Sequence, residues 1–357
     1  VRRPAAACLL TALAAAFRLD FGLYGLVAVT AAVLARGQPR RAAQYVVGTI
    51  LLIALVYLPF AVSDGPGHLY QALIGVSLRT GGDWTLPFPL HFHAPAGAGL
   101  TKTVKHAVDF YVPLALLIGF GLMVAGTALA LVRWRRLEPV PAGLVVLGAG
   151  MLVYLLSRTD QFHAQPLFVV VAIGLSLALT AFPVPVRAVC LAVLALLLVH
   201  GLANRLSALV RPPTEASLRL PVADGVMVAP REARAIERMV AIVDARVPPG
   251  RPIYVLPRRS DLVTLSDPLI YVLTQRENPT YQDFGLLAAA RAQAQIARQL
   301  AQLRLPILVR WTDPISSAPE PNPRGRSSGV HTLDRWVAVH YRPLARLYHY
   351  DVLIARP

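Results

Sequence analysis

Between Pro4 and Val210 the chain is a succession of apolar runs broken only by short charged clusters, and this pattern restricts it to one broad class of fold. The runs are Pro4 to Phe17, Phe21 to Leu34, Ala43 to Val62, Phe110 to Val132, Gly143 to Leu156, Pro166 to Phe182 and Val189 to Leu202. Charged residues make up 15% of the chain, against roughly 25% in a soluble domain, and the deficit falls in this first part. A backbone in hydrocarbon must satisfy its own hydrogen bonds, so such runs read as helices that cross a bilayer. The expected fold is therefore mainly α: a polytopic transmembrane helical domain over 1–210, followed by a small α/β extracytoplasmic domain over 211–357.

The first two runs are each near 14 residues, about 21 Å of helix against a hydrocarbon core of about 30 Å. They read as two short helices joined by a polar turn at Arg18-Leu19-Asp20, rather than as one long tilted helix. That choice also gives a consistent topology. With Arg40, Arg41 and Arg133 to Arg136 placed in the cytoplasm, Arg2, Arg3 and Arg187 fall on the same side, as the positive-inside rule requires. Arg18 to Asp20, the polar segment Ser63 to Lys105, the stretch Ser157 to His163 and everything after Arg205 then lie outside.

The net charge of +16 follows from these arginine-rich loops. No basic face with interleaved aromatics accompanies it, so nucleic acid is not an expected partner. Cys8 and Cys190 lie within apolar runs and read as small core residues. His91 and His93 alternate as zinc ligands can, but no acidic or cysteine partner stands near them, so no metal is expected. In the outer segment, His68 to Leu78 has the spacing of a short interfacial helix, Gly81 to Trp84 reads as a turn, and Leu86-Pro87-Phe88-Pro89 reads as extended chain.

After Pro212-Pro213 the pattern changes to strands alternating with helices, the signature of a small α/β sandwich. Helices are expected over Arg231 to Val247, Asp267 to Leu273, Leu286 to Leu303 and His331 to Tyr341, and strands over Pro252 to Leu256, Leu305 to Trp311 and Arg346 to Ala355. Pro314 to Gly329 reads as a mobile loop. No glycine-rich phosphate loop follows a strand. Arg258, Arg259 and Asp261 follow the first strand, where α/β sheets often bind ligands, although a solvated turn is the commoner meaning of such a cluster.

Two clusters carry the chemistry of the first domain: Arg18 with Asp20, and Arg158, Asp160 and His163. Ionisable groups amid apolar helices are costly and mark either structural pairs or a working site. The segment Arg18 to Tyr24, the outer stretch Leu86 to Pro89 and the pattern Arg158-x-Asp160-x-x-His163 resemble bacterial membrane glycosyltransferases of the GT-C class. The likeness is to the family 39 group, which includes protein mannosyltransferases and the aminoarabinose transferase of lipid A. It implies sugar transfer, without a cofactor, from a polyprenyl-phosphate-linked sugar to an envelope glycan, lipid or protein on the outer face of the plasma membrane. Arg18 and Arg158 would meet the charge developing on a phosphate leaving group, and Asp20, Asp160 and His163 would orient or deprotonate an acceptor.

Enzymes of that class carry their catalytic carboxylate in a first outer loop. Here Val1-Arg2-Arg3 leads into what corresponds to a middle helix. The expectation is thus the C-terminal part of a longer enzyme, or a remnant that does not catalyse alone, with the catalytic residue unassigned. A signal peptide over Arg2 to Ala16 is the alternative reading of the start, but no small-residue cleavage context follows it. Two other readings stay open: a non-catalytic membrane protein whose outer domain binds glycans or a partner subunit, and a lipid-linked sugar transporter with Arg18 and Arg158 on a phosphate path. A transporter is expected to show internal repeats and broken helices at matching positions, which the sequence does not display.

Overall fold

The computed structural model describes residues 4–94, 97, 99–135, 137–210, 212, 214–280 and 288–357, and within these not the side chains of residues 79, 80, 203, 204, 207 and 208. Arg2, Arg3, Arg136, Pro213 and the expected helix start at Leu286 lie outside the described residues. The chain divides into two compact units, Val1–Ser207 and Ala208–Pro357.

The first unit is helical: α1 (Pro4–Phe17), α2 (Leu19–Ala35), α3 (Pro39–Asp64), α4 (Pro66–Tyr70), α5 (Val76–Trp84), α6 (Leu100–Trp134), α7 (Pro139–Ser157), α8 (Gln161–Ala178) and α9 (Val184–Val210). Five of its helical segments are long and apolar enough to cross a membrane, and α1 and α2 are shorter apolar helices. Many large apolar side chains on these helices face outward, among them Leu10, Leu51, Leu55, Val153 and Leu198.

The two short runs are indeed two helices, with Arg18 in extended conformation between them. Three expectations in the outer segment need correction. The helix there is longer than His68 to Leu78, continuing from α4 through a π-helical turn, Gln71–Gly75, into α5. Gly81 to Trp84 is therefore the last turn of α5 and not a free turn. A helical glycine costs about 1 kcal/mol, and the α5 end is held by Arg158 Nη1, which donates to the Trp84 carbonyl at 3.4 Å. Finally, α6 begins at Leu100, ten residues before its apolar run. No breaker separates Lys102, Lys105 and His106 from that run, so helix propagates through the polar residues once nucleated.

Small residues bring the helices into close contact. A Cβ on Gly22 of α2 would lie 2.5 Å from Ala15 Cα of α1, and one on Gly150 of α7 would lie 2.5 Å from Tyr24 Cγ of α2. A Cβ on Gly143, two turns earlier on α7, would lie 3.1 Å from the Ala28 carbonyl oxygen of α2. Such approaches maximise dispersion contact where no hydrophobic driving force separates one apolar surface from another. Because α2 and α7 run antiparallel, Arg18 at the start of α2 comes beside the last turn of α7. On the far side of the unit, Met123 of α6 fills the groove left by Gly174 of α8, among the buried Leu167, Val171 and Leu175.

The second unit is a three-layer α/β/α sandwich. A short ribbon, β1 (Ala216–Ser217) with β2 (Met227–Val228), precedes α10 (Pro230–Arg246), β3 (Tyr254–Leu256), α11 (Leu269–Thr274), α12 (Ala290–Leu303), β4 (Ile307–Trp311), α13 (Thr332–His340), β5 (Tyr341–Leu347) and β6 (Tyr350–Ala355). The sheet order is β3-β4-β6-β5, with β3 and β4 parallel and the other pairs antiparallel. Strand alternation divides the core. Val255, Ile307, Val309 and Val352 pack with Ile236 and Met239 of α10, whereas Tyr254, Leu256, Leu308 and Leu353 pack with Ile296 and Leu300 of α12 and Val337 of α13.

The single strand expected over Arg346 to Ala355 is part of a hairpin, β5–β6, turning at Tyr348 and His349. Within Pro314 to Gly329 the chain forms two 3₁₀ turns, Pro314–Ser317 and Pro323–Gly325. Ser316 and Asn322 are buried, and the Ser316 carbonyl accepts from Thr264 N at 2.9 Å.

If the α1–α2 contact sets the first unit, Gly22→Val will lower its stability by about 1–3 kcal/mol through overpacking. Gly121→Val, at a glycine with open space around it, will leave the thermal midpoint in detergent close to that of the parent. Equal midpoints for the parent and Gly22→Val would contradict the packing account.

Candidate functional site

The two charged clusters meet at one end of the first unit, although 136 positions separate Arg18 from Tyr154, the residue that joins them. Arg18 forms a two-pronged pair with Asp20: Nε donates to Oδ1 at 2.9 Å and Nη2 to Oδ2 at 2.8 Å. Its remaining nitrogen, Nη1, donates to the hydroxyl of Tyr154 on α7 at 2.8 Å. The same guanidinium lies over the rings of Tyr154 and Phe21, 4.2 and 4.7 Å from their centroids, and those two rings meet edge to face. Such contacts add cation–π attraction to the ion pair.

The second cluster is built on the turn between α7 and α8. Arg158 Nε donates to Asp160 Oδ2 at 2.7 Å. Asp160 caps α8, accepting from His163 N at 2.9 Å, while His163 Nδ1 lies 2.7 Å from the same oxygen, Oδ1. The His163 ring stacks obliquely on Tyr154 at 4.5 Å. Tyr154 therefore touches both clusters, bonding Arg18 through its hydroxyl and His163 through its ring.

The backbones at Arg18 (φ −156°, ψ 113°) and Arg158 (φ −157°, ψ 108°) are nearly identical. Each arginine reaches forward over an extended residue to an aspartate two positions on. The structure thus contains a local repeat, Arg-x-Asp at a helix–helix turn, in which each arginine pairs with the aspartate of its own turn. The outer segment closes over the second turn: Thr159 Oγ1 lies 3.1 and 3.0 Å from the carbonyls of Leu86 and Pro87. The Arg18 side chain is 43% exposed and that of Arg158 is 21% exposed, so the first stands open and the second is partly covered.

Burial raises the Asp160 carboxyl, but the bonds from His163 and Arg158 pull it further the other way, to about 2. The carboxylate is anionic at neutral pH, which suits it to hold a cation and a helix N-terminus. Taking a proton there is disfavoured by that same low value.

Tyr154 was hidden in the sequence by its apolar surroundings. Its only signal is its position one helical turn before Arg158. A further ionisable pair was also missed, Asp109 of α6 with His200 of α9, at 3.1 Å and largely shielded from solvent. Nothing but tertiary structure joins them.

Among the described residues one trio has the donor types and proximity of a metal site, Asp261, His331 and Asp334 of the second unit. Its carboxylates are already engaged. Asp261 receives Arg259 Nε at 2.9 Å, Arg259 Nη2 at 2.6 Å and the Ser327 hydroxyl. Asp334 receives Ser260 N and Oγ at 2.9 and 2.6 Å. This is the donor pattern of an anchored ion-pair network. His91 and His93 are not brought together with any such group among the described residues.

A comparison with protein-family models matches none of them, and a comparison with curated proteins gives no significant match.

The lowered Asp160 carboxyl makes a linkage prediction. Its folded value lies below the unfolded value of about 3.9, so its stabilisation is full above about pH 5 and is lost as pH falls from about 4 towards 2. Asp160→Ala removes both cap and ion pair and will cost about 1 kcal/mol or more at pH 7. Asp160→Asn keeps a capping oxygen and will cost less. Thermal unfolding across that pH range measures both, and a parent and Asp160→Ala pair whose difference does not shrink below pH 4 would contradict the assignment.

Proposed function

We propose that the first unit is embedded in a bacterial plasma membrane and that its Arg18–Tyr154–Asp160 end binds the phosphate of a polyprenyl-linked sugar, for transfer to an envelope acceptor. The observation that carries this reading is the convergence of two Arg-x-Asp turns from distant parts of the chain on one tyrosine. Five helices of membrane-spanning length and their outward apolar side chains support the membrane setting. The resemblance to GT-C glycosyltransferases supports the reaction class. Under this reading the positive-inside distribution places the site on the outer face.

The chemistry asks for fixed cations where phosphate charge develops. Arg18 and Arg158 are each held by an aspartate rather than left to sample rotamers, which lowers the reorganisation needed when a phosphate arrives. Arg18, the more exposed, would make first contact. Asp20 and Asp160 act here as positioning residues. Tyr154 links the two turns, so a phosphate drawn to one cation is felt at the other. No described residue is assigned as the catalytic base.

Membranes from cells expressing the natural gene will transfer radiolabelled sugar from a polyprenyl-phosphate donor. Arg18→Ala and Arg158→Ala will each lower transfer by at least about tenfold, as expected when a charge-assisted phosphate contact is removed. Tyr154→Phe, which keeps the rings stacked, will have a smaller effect, expressed chiefly in KM. Absence of transfer, or transfer unchanged in both arginine variants, would overturn the reading.

A further inference from the structure

The second unit contains a cavity of about 380 Å³ beside the carboxyl ends of the parallel strands β3 and β4. Four arginines line it, Arg258, Arg259, Arg310 and Arg356, against two aspartates, Asp261 and Asp334. Counting these arginines against the aspartates leaves two positive charges uncompensated. Val337, Ala338, Pro343 and Leu353 supply an apolar floor.

The four arginines are not equivalent. Arg259 is taken up by Asp261, and Arg356 donates to the carbonyls of Tyr341 and Ala338 at 3.1 and 3.4 Å. Arg258 is exposed and pairs with none of the described residues. Arg310 approaches only Asp334, at 3.9 Å, and its Nε is buried without a hydrogen-bond partner among the described residues. Buried donors are almost always satisfied, so a buried orphan at a cavity wall needs an explanation. Cations with spare donors, converging on a space of ligand size at this end of a parallel pair, form an oxyanion site. The carboxylates already engaged, Asp261 on both oxygens and Asp334 on one, argue against a metal as the occupant.

We propose that this cavity binds a small ligand in which a phosphate or carboxylate is carried on a body of monosaccharide size. Arg310 and Arg258 hold the oxyanion, and the Val337–Leu353 floor takes a ring face. The Arg259–Asp261–Ser327 bonds keep Asp261 from competing for Arg258 and Arg310, and the Ser260–Asp334 bonds hold Asp334 at 3.9 Å from Arg310. This site is independent of the membrane unit and of the reaction proposed for it.

The test is calorimetric titration of the full chain, purified in detergent at low salt and pH 7.5, with glucose 1-phosphate, glucuronate, inorganic phosphate and neutral glucose. Glucose 1-phosphate or glucuronate is expected to bind, and the stronger of the two identifies the anionic group. Neutral glucose is expected to bind at least about tenfold more weakly, as is each anion to Arg310→Gln and Arg258→Ala. Arg158→Ala, in the membrane unit, will leave this binding unchanged, so failure of sugar transfer and failure of this site are separately visible. If Arg310→Gln does not fold, Arg258→Ala at its exposed position decides. Absence of anion binding, equal binding of neutral glucose, binding unaltered in the arginine variants, or binding of Zn²⁺ through Asp334 in place of the anions would each overturn the proposal.

Discussion

Everything at the Arg18–Asp160 end of the first unit depends on one constraint: an arginine among apolar helices must have its charge answered nearby. The chain meets it with the shortest available device, an aspartate two residues on, twice. Arg18 reaches Asp20 through Nε and Nη2, and Arg158 reaches Asp160 through Nε. Each pair closes within its own turn, and Tyr154 and the Trp84 carbonyl then take a further nitrogen of Arg18 and of Arg158. This makes Tyr154 a connection between the two turns. An isolated exposed ion pair contributes little to stability, typically below about 1 kcal/mol. The weight of these pairs lies in fixing where two guanidinium groups stand.

Packing decides whether the two turns meet at all. Gly22, Gly143 and Gly150 allow α1, α2 and α7 to approach until backbone touches side chain, and the antiparallel run of α2 and α7 then delivers Arg18 to Tyr154. The second unit solves a different problem. Its alternating strands separate two cores, and its cations gather where the parallel strands end. The two units thus illustrate the same rule: charge accumulates where an element stops and its backbone no longer satisfies itself.

The sequence made the helices of the first unit legible because hydrocarbon-length apolar runs have few alternative meanings. It also marked Arg18, Asp20, Arg158, Asp160 and His163, since ionisable residues stand out in such a background. It did not disclose Tyr154 as the link, because an aromatic in an apolar run has no period or charge to distinguish it. The start of α6 was misplaced for a related reason, since Lys102 and Lys105 end an apolar pattern without ending a helix. In the second unit Asp267 to Leu273 and the helices around it were close. The β5–β6 hairpin was not, because Pro343 and the charged Arg342 and Arg346 obscure an edge strand. The cavity residues come from four separate segments, and only Arg258, Arg259 and Asp261 were adjacent enough to be noticed.

The account turns on whether the Arg18–Tyr154–Asp160 end receives a lipid-linked phosphate. Native mass spectrometry of the full chain in nanodiscs, titrated with a polyprenyl-phosphate-linked sugar against phosphatidylglycerol as competitor, reads this most directly. The account predicts one tightly retained polyprenyl ligand per chain, lost in the Arg18→Ala Arg158→Ala double variant and retained in Arg310→Gln. Retention of the ligand by the double variant, or no preference for it over phosphatidylglycerol in the parent, would contradict it.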